Sequence, residues 1–408
     1  MSGTGRFSAF KHNSYRLYFG ARFCTAFAAQ VLSISIAWQM YAETSSMMLL
    51  GAIGLVQFLP ALGLVFLTGM AADQFGRRLV MGLSIVVELA CALTILLMAV
   101  NRSFDPYAVL FVLFVFGCAR AFLAPASSSL AVNLVPKEDF VNAAGFAAVS
   151  WQAASIVGPV AGGLLYGISA SVAYSVAVGL FLTAAVLVFV IPKPDQVTGQ
   201  AAKTLSSVLD GFQYVFKEKV VLGAISLDLF AVLLGGAVAM LPVYASDILQ
   251  VDSQGLGLLR AAPGIGALIM VAFMNIFPIR DHAGIILFVS VALFGLATAV
   301  FGASTIAWFS ILALMCVGAF DMVSVYIREV LLQLWTPDEV RGRVNAVNSI
   351  FLGASNELGE ARAGFMGAVL GPVATVVLGG VAAIGIAAGW AFLFPQIRKT
   401  RYLERPED

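Results

Sequence analysis

Charge is what this chain lacks most. Only 11% of its 408 residues are Asp, Glu, Lys or Arg, 61% are apolar, and the mean hydropathy is +0.96. Water-soluble domains carry about a quarter charged residues, so this balance excludes an ordinary soluble fold and implies a polytopic membrane protein. Histidine is nearly absent. His12 and His282 stand apart near the edges of apolar runs, which argues against a histidine-based metal site. The four cysteines, Cys24, Cys91, Cys118 and Cys316, lie inside apolar runs without ligand spacing and read as small buried hydrophobes. Neither a metal nor a cofactor is expected. The net charge of +1 is not massed on one patch, so no nucleic-acid partner is expected either. No Gly-x-x-x-x-Gly-Lys loop occurs, which excludes ATP-driven work by this chain. A membrane enzyme would need a nucleophile with a base, or clustered metal ligands. The serines of "PASSSL" (Pro125 to Leu130) have no histidine beside them and read as cavity polarity or helix packing. A sensor or scaffold would be favoured by an attached soluble domain, and none is apparent.

What the chain has instead is long apolar runs. A span needs about twenty apolar residues. Breaks at charged and Gly/Pro/Asn/Asp clusters divide the sequence into twelve, near 15–42, 46–71, 78–100, 106–133, 141–167, 169–191, 220–246, 255–277, 283–303, 305–334, 344–369 and 371–394. The first follows a polar start and is too long for a cleaved signal peptide, so it reads as a retained span. Most basic residues, including Lys11, Arg16, Arg77, Arg78, Lys217, Arg341 and Arg398, fall on one side of this scheme, and Arg102 alone lies in a loop on the other. The positive-inside rule then puts both termini in the cytoplasm.

The longest internal polar stretch divides the spans six and six. The expected organisation is an N-terminal half over 1–191, a cytoplasmic linker over 192–219, a C-terminal half over 220–394 and a tail over 395–408. In the linker Leu205, Val208, Leu209, Phe212, Val215 and Phe216 recur at helical spacing, which predicts an amphipathic helix on the membrane face. The halves look duplicated. Gly117 and Pro136 recur as Gly318 and Pro337 at one offset, and Asp73 and Gly76 as Asp281 and Gly284 at a similar one. Repeated halves that rock about a central site are a recurrent transporter plan.

The segment "GMAADQFGRR" sits between the second and third spans on the predicted cytoplasmic side. Gly69, Asp73, Gly76, Arg77 and Arg78 there resemble the loop 2–3 signature of the major facilitator superfamily. The opening "YRLYFGARF" and the late "TPDEVRGRVNAVNSIF" resemble most the branch containing the enterobactin exporter and related bacterial efflux proteins. The resemblance covers the whole chain and implies an all-α fold of twelve helices in two pseudo-symmetric halves. It also implies that Asp73 lies near the start of span eleven, attracted by helix-end N–H groups and by Arg341 or Arg343, so that the loop ties the halves together. The competing reading is that the loop is merely a positive-inside anchor.

"GFAAVSWQAASIVGPVAGG" resembles the superfamily's antiporter motif in span five, with Gly145, Gly158, Pro159, Gly162 and Gly163 in place and Ala154 where a glycine is expected. Gly158 and Gly162 form a small-xxx-small face, and Pro159 can bend the helix. Ordinary tight packing and an effect on transport direction are both compatible with it.

A charge near mid-bilayer costs about 2.5–3.5 kcal/mol on insertion scales, so each one needs a use. Arg22 and Arg120 lie in spans one and four, and Asp228 and Asp321 lie in spans seven and ten. By the repeat, Arg120 matches Asp321 and Arg22 matches Asp228. The resemblance places these four spans around a central cavity. The arginines are then candidates for an anionic cargo group and the aspartates for proton coupling. The competing readings are a static ion pair between the halves and salt links that merely neutralise buried charge. Arg328 and Glu329 continue the polar face of span ten, either as cavity lining or as a network near an inner gate. "NELGEAR" (Asn356 to Arg362) must be buried in protein or wet, and Glu88 in span three has the weakest case for a function, its simplest reading being a pairing with a neighbouring helix. The expected function is proton-coupled efflux of an amphipathic small molecule, drug-like or siderophore-like, by alternating access. The alternatives are a proton-coupled metabolite importer and a lysophospholipid-type flippase. The expected partners are that small molecule, protons and the lipid bilayer, for a monomer in a bacterial plasma membrane.

Overall fold

The computed structural model describes residues 7–193, 205–279 and 281–401. All regular structure among the described residues is helical, and its order follows the apolar runs. After a short 3-10 turn, α1 (Asn13–Thr44), α2 (Met47–Phe75), α3 (Arg77–Val100), α4 (Pro106–Val132), α5 (Phe140–Ile168) and α6 (Ala170–Val190) form the first six spans. The linker helix α7 (Leu205–Lys217) follows. The seventh span is α8 (Lys219–Gly235), a 3-10 turn, α9 (Leu241–Val243) and a π-helical turn at Tyr244–Ile248. Then come α10 (Ser253–Ile276), α11 (Ala283–Ala303), α12 (Ala307–Trp335), α13 (Asp338–Leu370), α14 (Pro372–Leu393) and the short α15 (Pro395–Lys399).

Eleven helices among the described residues are long and apolar enough to cross a bilayer. The remaining long helix, α13, is 33 residues and is diluted by the charges of its first turns and of "NELGEAR". Large apolar side chains such as Leu83, Phe111, Leu182, Phe273 and Leu296 are exposed along the helices, which suits contact with lipid. Prolines sit inside α2, α4, α5 and α10, a placement that spans tolerate where neighbours satisfy the freed backbone.

The helix ends follow local chemistry. Asp105 caps α4 by accepting from the Tyr107 and Ala108 backbone N–H groups at 2.8 and 3.3 Å. Ser169 caps α6 through Val172 N–H at 3.1 Å. Gly76 turns between α2 and α3 at φ +89°, a left-handed conformation that favours glycine, so the predicted tight turn of the loop 2–3 segment is present.

Two expectations need revising. Span seven is not one continuous helix. The α conformation ends at Gly236, where ψ swings to 123°, and the chain continues through the 3-10 turn and α9, which Pro242 opens as a first-turn residue. Span eleven begins earlier than 344, because α13 starts at Asp338 directly after Pro337. In the linker, 194–204 and the side chains of 205–210 lie outside the described residues. The rest of α7 packs on protein. Val215 is buried with Val221, Ala224, Ile225, Leu332, Val344 and Val347, while Phe216 is exposed. Gly211 lies against the Arg343 backbone, and the Tyr214 hydroxyl donates to the Trp335 carbonyl at 3.1 Å.

The chain divides into two compact units. The first comprises Met1–Thr44, Val56–Ala202 and Asp252–Gly257, and the second Ser45–Leu55, Lys203–Val251 and Leu258–Asp408. The second unit buries a core of Leu227, Leu287, Phe288, Ile327, Leu331 and Ile397. In the first, Tyr15, Tyr18, Met81, Ile85, Tyr174 and Phe181 are fully buried.

Candidate functional site

In the first unit the two arginines stand on α1 and α4. Tyr18 lies one turn before Arg22. Its hydroxyl donates to the Ser127 carbonyl at 3.0 Å and accepts from Arg22 Nη1 at 3.1 Å. The serine run of α4 thus holds Tyr18, and Tyr18 orients a half-buried Arg22. Arg120, near the middle of α4, is exposed and makes no hydrogen bond or ion pair among the described residues. A guanidinium at that depth needs water, a counter-ion or a ligand. Glu88, near the middle of α3, is 1% exposed, and its Oε2 is buried without a hydrogen-bond partner.

The second unit is arranged differently. Arg328 Nη2 of α12 pairs with Asp228 Oδ1 of α8 at 2.7 Å, with both side chains buried. Arg328 Nε also donates to Ser324 Oγ at 3.2 Å. Asp321, two turns before Arg328, makes no hydrogen bond or ion pair of its own among the described residues, while the charges of Arg328 and Asp228 act on it. One guanidinium is thus paired to Asp228 while a second carboxylate, Asp321, stands within reach of its charge without a contact to it. Such a trio carries a net negative charge when both are ionised, and a proton on one of them balances it. Glu329 takes no part in the trio; its Oε1 accepts from Asn348 Nδ2 of α13 at 3.1 Å.

More than two turns beyond Asp228 along α8 lies the break in span seven. Arg362 of α13 directs Nη2 at the Gly236 carbonyl, 3.5 Å away, and Nη1 at the Met366 sulfur at 3.2 Å, while its buried Nε has no partner. Glu357 and Glu360 lie against Gly54, which belongs to the same unit. The polar face of "NELGEAR" is therefore embedded in protein for the most part, with Asn356 exposed.

The antiporter-like motif is a close-packing surface. A Cβ on Gly158 would stand 2.6 Å from Gln30 Cβ, and one on Gly162 would meet Ile34 and Val31, so α1 rests directly on this face of α5. Gly163 approaches the Ser253 carbonyl of the first turn of α10, and Ser253 Oγ donates to the Gly163 carbonyl at 2.9 Å. Gly145 meets nothing within 4 Å, so it is no part of that seam.

Around the loop 2–3 segment, Arg77 Nη1 donates to the Ser129 carbonyl at 3.0 Å and to Asn133 Oδ1, and Arg78 donates to the Ile191 carbonyl. Both arginines thus tie α3 to the ends of α4 and α6. Gly69 and Asp73 fall within α2, and their surroundings, including the expected approach of Asp73 to span eleven, lie outside the described residues. Arg341 and Arg343 stand in the first turns of α13, and Arg341 Nη2 donates to the Thr336 carbonyl at 3.1 Å. Asp281, the repeat partner of Asp73, pairs with Arg401 at 3.3 Å.

Several contributors escaped the sequence reading. Tyr18 was discoverable as a polar residue one turn from Arg22. The Tyr174 hydroxyl bonded to Gln39 Oε1 at 2.6 Å carried no signal beyond two polar residues in apolar runs.

An apolar helical protein whose few mid-span charges balance or await one another is a membrane carrier, a class in which such charges mark the solute or ion path. The model of the Major Facilitator Superfamily matches residues 18–327, and the chain belongs to that superfamily, whose members are secondary transporters and not enzymes. The chain is 25% identical over 400 residues to the enterobactin exporter EntS of Shigella boydii serotype 4 (strain Sb227), covering 96% of this chain and 94% of that one. The fold is similar to that of a POT family transporter solved with 5-aminolevulinic acid, at TM-score 0.75 and 11% identity, covering 95% and 97% of the two chains. It is similar also to a bacterial homologue of the human lysosomal transporter Spinster, at TM-score 0.72 and 15% identity over 98% and 100%. The protein is thus a multi-pass membrane transporter with a small-molecule substrate.

Proposed function

We propose that this transporter exports an amphipathic small molecule in exchange for protons across a bacterial plasma membrane, as a monomer working by alternating access. The observation that carries the proposal is Asp321, a carboxylate of α12 without a hydrogen bond or ion pair among the described residues, two turns from the buried Asp228–Arg328 pair whose charges act on it. A cargo that offers hydroxyl or cationic donors to an ionised Asp321 competes with a proton for the same carboxylate. Mutually exclusive occupancy of that kind is what obligate exchange requires. Arg22 and Arg120 supply forked donors for an anionic part of the cargo, and Glu329 adds polarity further along α12. The outward direction rests on the distant full-length similarity to an enterobactin exporter.

In this reading the halves 1–191 and 220–394 are the moving bodies, joined by the linker. The loop 2–3 segment is the gating element of this reading, and the Gly158–Gly163 face is a close-packed seam within the first unit. Everted membrane vesicles that contain the protein provide the test, with a panel of labelled siderophore-like and drug-like compounds and with or without an imposed pH gradient. Uptake of at least one compound into the vesicles that collapses with the gradient supports exchange. Uptake that needs protons and cargo to move in the same direction would replace it with import by symport.

A further inference from the structure

Glu88 has no place in the mechanism above, yet it is the most deeply buried charged residue of the first unit among the described residues. It lies near the middle of α3, is 1% exposed, and turns an oxygen without any hydrogen-bond donor into the protein interior. α3 packs against α4 and α6. α6 brings no charged side chain to that contact, and its buried Tyr174 is engaged with Gln39. α3 itself adds Cys91 one turn away, and α4 adds Cys118 and Arg120. Arg120 is thus the one opposite charge that acts on Glu88 among the described residues, and it is itself exposed and without a partner. An ionised carboxylate with a buried, undonated oxygen is costly inside a bilayer, so the arrangement is that of a neutral acid beside a guanidinium left free for something else.

We propose that Glu88 is a proton-binding site and the resident counter-ion of Arg120. When an anionic group occupies Arg120, a proton taken from water sits on Glu88. When the anion leaves, that proton returns to water and the carboxylate takes the anion's place at the guanidinium. The inference rests on the reading of Arg120 as the contact for an anionic cargo group. It gives the first unit a proton linkage opposite in sign to that of Asp321, because here anion and proton bind together. Above the pH at which Glu88 ionises, the apparent affinity for the anion falls about tenfold per pH unit.

Infrared difference spectroscopy of the reconstituted full-length protein tests this without a known cargo, by following the C=O stretch of protonated carboxyl groups during a pH titration. The expected result is a band that is lost in Glu88→Gln and kept in Asp321→Asn. Arg120→Gln imitates the neutralising anion and moves the fading of that band up by about one pH unit or more. If Glu88→Gln does not fold, Glu88→Asp keeps the group while shifting its band and supplies the assignment. A spectrum unchanged at residue 88, or a titration indifferent to Arg120→Gln, overturns the inference. Neither outcome touches the exchange reading, which fails on its own if the vesicles show no gradient-driven transport while the Glu88 band titrates as expected.

Discussion

The two units hold their charges in opposite ways. In the second, Arg328 is buried and already paired to Asp228 at 2.7 Å. In the first, Arg120 is exposed, and Glu88, on which its charge acts, is buried with its Oε2 lacking a donor. Both units solve the same problem, a charge in the apolar part of a membrane, but only one solves it internally. In the proposed mechanism the satisfied pair is a fixed element beside which Asp321 takes up and releases a proton, and the unsatisfied arginine is the one offered to a ligand.

Breaking the satisfied pair is expected to have the largest effect. Arg328→Ala leaves Asp228 buried and alone, and should destabilise the protein by about 3–5 kcal/mol. Asp228→Asn combined with Arg328→Gln should recover most of that loss. Thermal unfolding in detergent, followed by the elution profile of the folded protein, checks both. Next is the packing seam of the first unit. Gly162→Leu would drive a side chain into Ile34 and Val31 of α1, costing about 1–3 kcal/mol, while the same change at Gly145 meets open space and should be silent.

A smaller effect is expected at the unsatisfied charge. Arg120→Ala should weaken cargo binding without loss of folded protein, and Arg120→Lys should restore it only partly, because a point charge replaces the planar fork. Equilibrium binding of whichever compound the vesicle panel identifies is the measurement. An equal loss of folded protein in Arg120→Ala and Arg328→Ala would erase the contrast between the units.

The smallest effect belongs to the clasp between the N-terminal 3-10 turn and the start of α5. His12 Nε2 and Asp139 Oδ2 are 2.9 Å apart, and the neighbouring Ser8 hydroxyl and His12 ring hold the Asp139 carboxyl below the usual carboxylate range. A carboxyl held low in the folded state contributes stability that is present above its ordinary range and is lost as the pH falls through its folded value. Proteolysis of the N-terminal segment should therefore accelerate only in strong acid, and Asp139→Asn should remove that pH dependence.

Much of this was legible in the sequence for a simple reason. A span must be a long apolar run, so the scarcity of charge exposed both the spans and the few places where charge persists. Gly76 and its flanking arginines were legible because a tight turn and a basic loop need those residue types. The pairing of the charges was not. The repeat made Arg22 and Asp228 equivalent positions but named no partner for either: Arg22 donates to Tyr18 within its own unit, and Asp228 is taken by Arg328. Which charges meet depends on the rotation and depth of each helix, and apolar periodicity constrains these weakly in helices wrapped by lipid on one side and protein on the other. The break in span seven was hidden likewise, because Gly235 and Gly236 read as two more small apolar residues until the backbone is seen to leave the helix there. Arg362 at that break shows why "NELGEAR" looked too polar for its position.

The central claim is that the unpaired carboxylate beside a paired one carries the coupling proton. The most direct measurement compares wild type and Asp321→Asn in proteoliposomes, recording cargo flux driven by a pH gradient alongside cargo exchange at equal pH. The account predicts that Asp321→Asn abolishes the driven flux and retains binding and exchange, since the amide still forms hydrogen bonds but cannot take up and release a proton. Gradient-driven flux at the wild-type rate in Asp321→Asn would contradict it.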